Sequence, residues 1–161
     1  MLTEHNATHQ FMQLNLPEYE FNVKKNDAGG FIIFDSLRKR FVSLTPEEWV
    51  RQHFVRFLIN ERHFPAALMA NEVSLVQNGI QRRCDTLVAD HHGQPLVIVE
   101  YKAPSVQVTQ ATFDQIVRYN MVLRAHYLIV SNGMRHYCCR INYDDNTYDF
   151  LPDIPDYEAL T

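Results

Sequence analysis

Two spacings of apolar residues divide the chain. Val50, Phe54, Phe57 and Leu58 recur at the interval of one helix face. Thr45 caps that run, Pro46 suits a first turn, and Glu48 completes a capping box, so a helix is predicted from Pro46 to about Glu61. A second helix is expected over residues 112 to about 123, with Phe113, Ile116, Val117 and Leu123 inward. Elsewhere the pattern shortens to strands over residues 31–34, 72–76, 82–89, 96–102, 127–130 and 136–141. Asn78-Gly79 is hairpin turn chemistry between the second and third of these, and residues 90–95 turn between the third and fourth. This succession predicts an α/β fold in which helices flank a mixed β-sheet. Residues 1–30 read as a polar N-terminal arm, and the two prolines of Phe150-Leu151-Pro152-Asp153-Ile154-Pro155 make 151–161 an extended tail.

Length and composition narrow the class. A chain of 161 residues with 46% hydrophobic content suits one domain with one core, here taken as 1–161. No stretch approaches the roughly 18 apolar residues of a membrane span, and the first residues lack signal-peptide character, so the expected location is cytoplasmic. Cys84, Cys138 and Cys139 form neither a disulfide framework nor a zinc spacing, which leaves reduced, partly buried thiols. A net charge of −4 argues against nonspecific coating of nucleic acid. It leaves room for a local basic groove, for which Arg51, Arg83 and Arg118 are the nucleic-acid-binding candidates.

The chemistry concentrates at Asp85, Glu100 and Lys102. If Ala89 opposes Leu96 at the hairpin mouth, Leu87 faces Ile98, Asp85 faces Glu100, and Arg83 lies beside Lys102. Opposed carboxylates repel at about 5 Å between Cβ atoms, and a divalent ion is the simplest compensation. Strand alternation puts Lys102 on the same face and Tyr101 on the other. Gln115 and Tyr119, one helical turn apart, can hydrogen-bond a phosphate or brace the Lys102 end.

Asp85 followed by Glu100-x-Lys102 after an apolar strand resembles the PD-(D/E)xK nuclease superfamily, with Cys84 where its name has proline. Gln115-Ile116-Val117-Arg118-Tyr119 is similar to the Q-x-x-x-Y motif of the RecB-like branch. With Leu44-Thr45-Pro46-Glu47-Glu48-Trp49 and Val130-Ser131-Asn132-Gly133, the likeness is closest to the N-terminal nuclease domain of type I restriction enzyme R subunits. The resemblance implies a restriction-endonuclease-like fold and a Mg²⁺- or Mn²⁺-dependent endonuclease acting on DNA. Asp85, Glu100 and the Tyr101 carbonyl would hold the metal, with Glu47 or Glu48 as a further acidic residue, and Lys102, Gln115 and Tyr119 would complete the catalytic set. Restriction-system subunits or a second copy of the chain are the implied protein partners. No Gly-x-x-x-x-Gly-Lys phosphate loop of an ATP-driven motor occurs in these 161 residues. A noncatalytic nucleic-acid-binding or assembly module on the same fold is the alternative.

Overall fold

The structure, a computed structural model, describes residues 11–161. The first ten residues of the expected arm lie outside the described residues. Strands β1 (Val23–Lys25), β2 (Phe31–Asp35) and β3 (Arg40–Ser43) form an antiparallel sheet of their own. Helix α1 (Pro46–Arg62) leads through a 3-10 turn to β4 (Met69–Gln77), β5 (Ile80–Ala89) and β6 (Pro95–Tyr101). Helix α2 (Gln110–Asn120) crosses over to β7 (Tyr127–Ser131), followed by β8 (His136–Asn142), β9 (Thr147–Leu151) and the short helix α3 (Tyr157–Leu160).

The main sheet has the order β4-β5-β6-β7-β8-β9, antiparallel except for β6 and β7. A parallel neighbour requires a crossover, and α2 provides it. Strand β6 is central, and its run Leu96-Val97-Ile98-Val99 is buried on both faces. Val97, Val99 and Tyr101 meet Val50, Phe54 and Leu58 of α1 in one core. Ile98, Leu128 and Val130 meet Phe113 and Val117 of α2 in the other. Each fully buried side chain of this size contributes about 1.5–3 kcal/mol relative to exposure, so the two helices anchor β6 from both sides.

Several expectations change. The Phe31 strand is the middle of a separate three-stranded sheet whose outer members were not predicted. The tail is not extended throughout: β9 pairs with β8, and Ile154, Tyr157 and Leu160 enter the α1-side core, with α3 forming after the last proline. The helix at Pro46 begins as predicted, and Thr45 Oγ accepts the Glu48 N–H at 3.1 Å. The capping box is not closed, because the Glu48 carboxylate turns inward to arginines.

The described part of the arm lies across the β7–β8 turn. Asn15 N–H donates to the Gly133 carbonyl at 2.9 Å, and Trp49 Nε1 donates to the Met12 carbonyl at 3.1 Å. Gly133 has φ +82°, and a Cβ there would stand 2.7 Å from Leu14 Cδ2 and 3.1 Å from Val50 Cγ2. Gly133→Ala combines a strained backbone with a clash against two core residues and should cost about 2–4 kcal/mol. Urea unfolding measures this directly, and an unchanged midpoint would show that the arm does not pack as described.

Candidate active site at the divergence of two strands

The register between β5 and β6 explains how the acidic pair forms. Leu87 faces Ile98 as the spacing predicted. Ala89 faces Pro95 rather than Leu96, because a bulge follows Val88 where Asp90 folds the 90–94 loop onto its own carboxylate. The ladder ends at Thr86 and Val99, one pair short of Asp85 and Glu100. There Asp85 Oδ2 accepts the Tyr101 N–H at 2.9 Å, so a side chain takes over from a strand partner. The strands part, and Glu100 and Tyr101 continue their pairing only with β7.

Glu100 shows what the divergence creates. Its Oε1 is buried without a hydrogen-bond partner. Burial first, then the Asp85 charge and a hydrogen bond to Asp85 that requires a proton, push its carboxyl well above the ordinary carboxylate range. Lys102 acts in the opposite direction, favouring the ionised form. Strand β6 ends at Tyr101, so the expected facing of Arg83 and Lys102 does not occur; the Lys102 N–H instead donates to the Ser131 carbonyl at 2.9 Å. Tyr101 points to the α1 side as alternation requires, with its hydroxyl 2.9 Å from Thr86 Oγ.

Helix α2 brings a different side chain to Glu100 from those its motif suggested. Gln115 is exposed, and the Tyr119 hydroxyl accepts the Arg83 N–H at 3.3 Å while the Arg82 guanidinium lies 4.6 Å over its ring. Tyr119 therefore braces β5, not the Lys102 end. Asn120 is fully buried beside Glu100, whose ionised form it favours, and its Oδ1 has no partner. Its signal was in the sequence: Phe113, Val117 and Asn120 share one buried stripe, where an amide is out of place without a polar neighbour.

Helix α1 corrects three assignments. Glu47 is exposed and points away from the core. Glu48 is buried, but its carboxylate is occupied by Arg38 at 2.7 Å, Arg51 at 3.0 Å and Gln52 at 3.0 Å, which leaves no free oxygen face for a metal. Arg51, expected to meet nucleic acid, is 7% exposed and joins Glu48, Glu72 and the Asp85 carbonyl inside the protein. The helix is covered by the arm and small sheet on one side and by β6 on the other, so positions that would normally be solvated are enclosed. Arg83 is exposed and paired with Glu72, and Arg118 is exposed on α2. Cys84 is a buried thiol, pushed up to about 12 by burial first and then by Glu100 and Asp85.

Among the described residues, no group of three or more His, Cys, Asp or Glu side chains converges as a metal cage. The two groups that meet here, Asp85 and Glu100, are carboxylates and offer oxygen donors alone. That set fits Mg²⁺, which typically uses one or two protein carboxylates and keeps several waters. The unpartnered Glu100 oxygen is the atom such an ion would satisfy. No described helix is long and apolar enough to cross a membrane.

Comparisons with known proteins agree with this architecture. No curated protein matches the chain. A fragment assigned as the HsdR subunit of a type I restriction enzyme from Vibrio vulnificus YJ016 superposes with a TM-score of 0.52 at 20% identity. The match covers 73% of this chain and 24% of that one, so the chain spans about a quarter of the fragment's length and the likeness establishes the fold. Residues 46–155, from the start of α1 to beyond β9, match the profile of the type I restriction enzyme R protein N terminus (HSDR_N). The chain belongs to that family.

Proposed function

We propose that the chain is a divalent-metal-dependent endonuclease domain that hydrolyses phosphodiester bonds in DNA. The observation that carries this reading is the meeting of Asp85 and Glu100 where β5 and β6 part, with one Glu100 oxygen buried and unpartnered and Lys102 two residues further along the chain. Asp85, Glu100 and the Tyr101 carbonyl would hold Mg²⁺ or Mn²⁺. When bound, the ion would stabilise charge on the phosphoryl oxygens and make water a better nucleophile.

The chain's own groups do the rest. Asp85 is fixed through its Oδ2 by the Tyr101 N–H, which orients the carboxylate without using both oxygens. Glu100 must give up a proton that burial and Asp85 make it retain, and the Lys102 ammonium and Asn120 favour that ionisation. Once Glu100 is ionised, Lys102 can also offset charge that accumulates on phosphate as water adds to phosphorus and the bond to the departing sugar oxygen breaks. Exposed Arg83, two residues before Asp85 on β5, and exposed Arg118 of α2 suit backbone phosphates. Membership of a restriction R-protein family supports DNA as substrate and restriction-system subunits as partners.

The test is cutting of supercoiled plasmid, linear duplex, single-stranded DNA and RNA with Mg²⁺, with Mn²⁺ and with chelator. Cleavage of DNA only in the presence of a divalent ion is expected. Metal-independent DNA binding without cleavage of any substrate would favour the noncatalytic module.

A further inference from the structure

The geometry points to Arg51 as the positioning residue of the site: it clasps the Asp85 main chain at a position of β5 that is paired with neither neighbouring strand. This rests on the function proposed above, since the clasp acts on a residue of that site.

The β4–β5 register would pair Glu72 with Asp85, since Asn71 faces Thr86 and Val73 faces Cys84. That pair is missing from the ladder, and Glu72 has φ +56°. Asp85 is thus unpaired on its β4 side as well as on its β6 side. Its carbonyl accepts Arg51 Nη1 at 2.8 Å, and its carboxylate accepts the Tyr101 N–H at 2.9 Å. These two hydrogen bonds stand where ladder bonds would have been.

Arg51 is itself held. Its Nε and Nη2 meet the two Glu48 oxygens at 3.0 and 3.2 Å, and Nη2 also meets Glu72. Glu48 takes Arg38 at 2.7 Å, and Arg38 pairs with Asp35. Asp35 accepts Asn71 Nδ2 at 2.9 Å, Asn71 Oδ1 accepts the Thr86 hydroxyl at 2.7 Å, and Thr86 Oγ lies 2.9 Å from the Tyr101 hydroxyl. The chain of contacts closes on Tyr101, whose N–H is the second anchor of Asp85. A buried ion cluster that served stability alone would need no bond to a site residue's carbonyl. Only a guanidinium has donors in a planar fork that can face two carboxylates and a carbonyl at once; a lysine ammonium is a point charge.

Arg51→Lys and Arg38→Lys separate the clasp from the cluster, because both weaken the ion pairs and only the first breaks the Asp85 contact. Amide hydrogen exchange of Tyr101 in metal-free protein is the first readout. Arg51→Lys should speed it by about tenfold or more beyond any change in globally exchanging amides, and Arg38→Lys should not. Mn²⁺ titration and cleavage follow: Arg51→Lys should weaken Mn²⁺ binding and lower kcat by about tenfold each, with KM for DNA near wild type, while Arg38→Lys stays within about twofold. Equal effects from the two substitutions, or wild-type Tyr101 exchange in Arg51→Lys, would overturn the clasp. If wild type neither binds Mn²⁺ nor cuts, the nuclease reading falls and the exchange data still judge the clasp. Should Arg51→Lys not fold, NMR of the wild-type guanidinium decides: separate, slowly exchanging Nη protons are expected, and averaged signals would contradict it.

Discussion

Asp85→Asn should reduce metal-dependent DNA cleavage by about 10³-fold or more, the loss typical of removing a group that organises charge in the transition state. It should do so without unfolding the protein. The carboxamide oxygen can still accept the Tyr101 N–H, and Arg51 holds the main-chain carbonyl, which the substitution leaves in place. The acidic pair also loses its repulsion, so thermal stability without metal should match or exceed wild type. Lys102→Ala should lower cleavage on the same scale, because the Lys102 charge favours the ionised form of Glu100. Wild-type cleavage by either variant would remove these residues from the reaction.

Glu100→Gln should raise Tm at pH 8 in chelator by about 4–8 °C, corresponding to about 2 kcal/mol in a chain of this size. Burial and Asp85 raise the folded Glu100 pKa above its ordinary 4.5. Below that ordinary value folded and unfolded chains are both protonated, and the group has no effect. As pH rises through the window from about 4.5 to the raised folded value, the unfolded chain releases the proton that the folded chain retains, and stability falls. Glutamine keeps the shape and carries no charge to desolvate, so the decline attributable to this position should vanish. Thermal melts from pH 4 to pH 9 supply the comparison, and parallel wild-type and variant curves would show that Glu100 ionises freely.

Much of the fold was legible because local signals agreed with long-range packing. Thr45-Pro46 marks the start of α1, Asn78-Gly79 forms the β4–β5 turn with φ +52° and +75°, and the apolar run of β6 lies at the centre of the sheet. The three-residue β1 and four-residue β3 carry too few positions to show a period. Strand β9 was hidden by exposed polar positions and nearby prolines, and α3 by its length of four residues.

The acidic pair was visible as a register, because a period of two fixes which residues oppose one another. What strand periodicity does not encode is the break at that pair. Leu87 and Ile98 keep register, yet one step further Asp85 uses its side chain, and Glu72 leaves the ladder through a left-handed backbone. The same blindness affected charged helix positions. A sequence reading places arginine and glutamate outside by default, whereas Arg51 and Glu48 are enclosed because each neutralises the other. Gln115 and Tyr119 stand out as a motif, but Asn120, one residue on, faces Glu100.

The most direct measurement is calorimetric titration of Mn²⁺ into metal-free wild type, Asp85→Asn and Glu100→Gln at pH 8. A saturable site in wild type that weakens by about tenfold or more in each variant, with proton release on binding only where Glu100 is present, is the expected result. Equal Mn²⁺ affinity in all three proteins would contradict the claim that these two carboxylates together hold the ion.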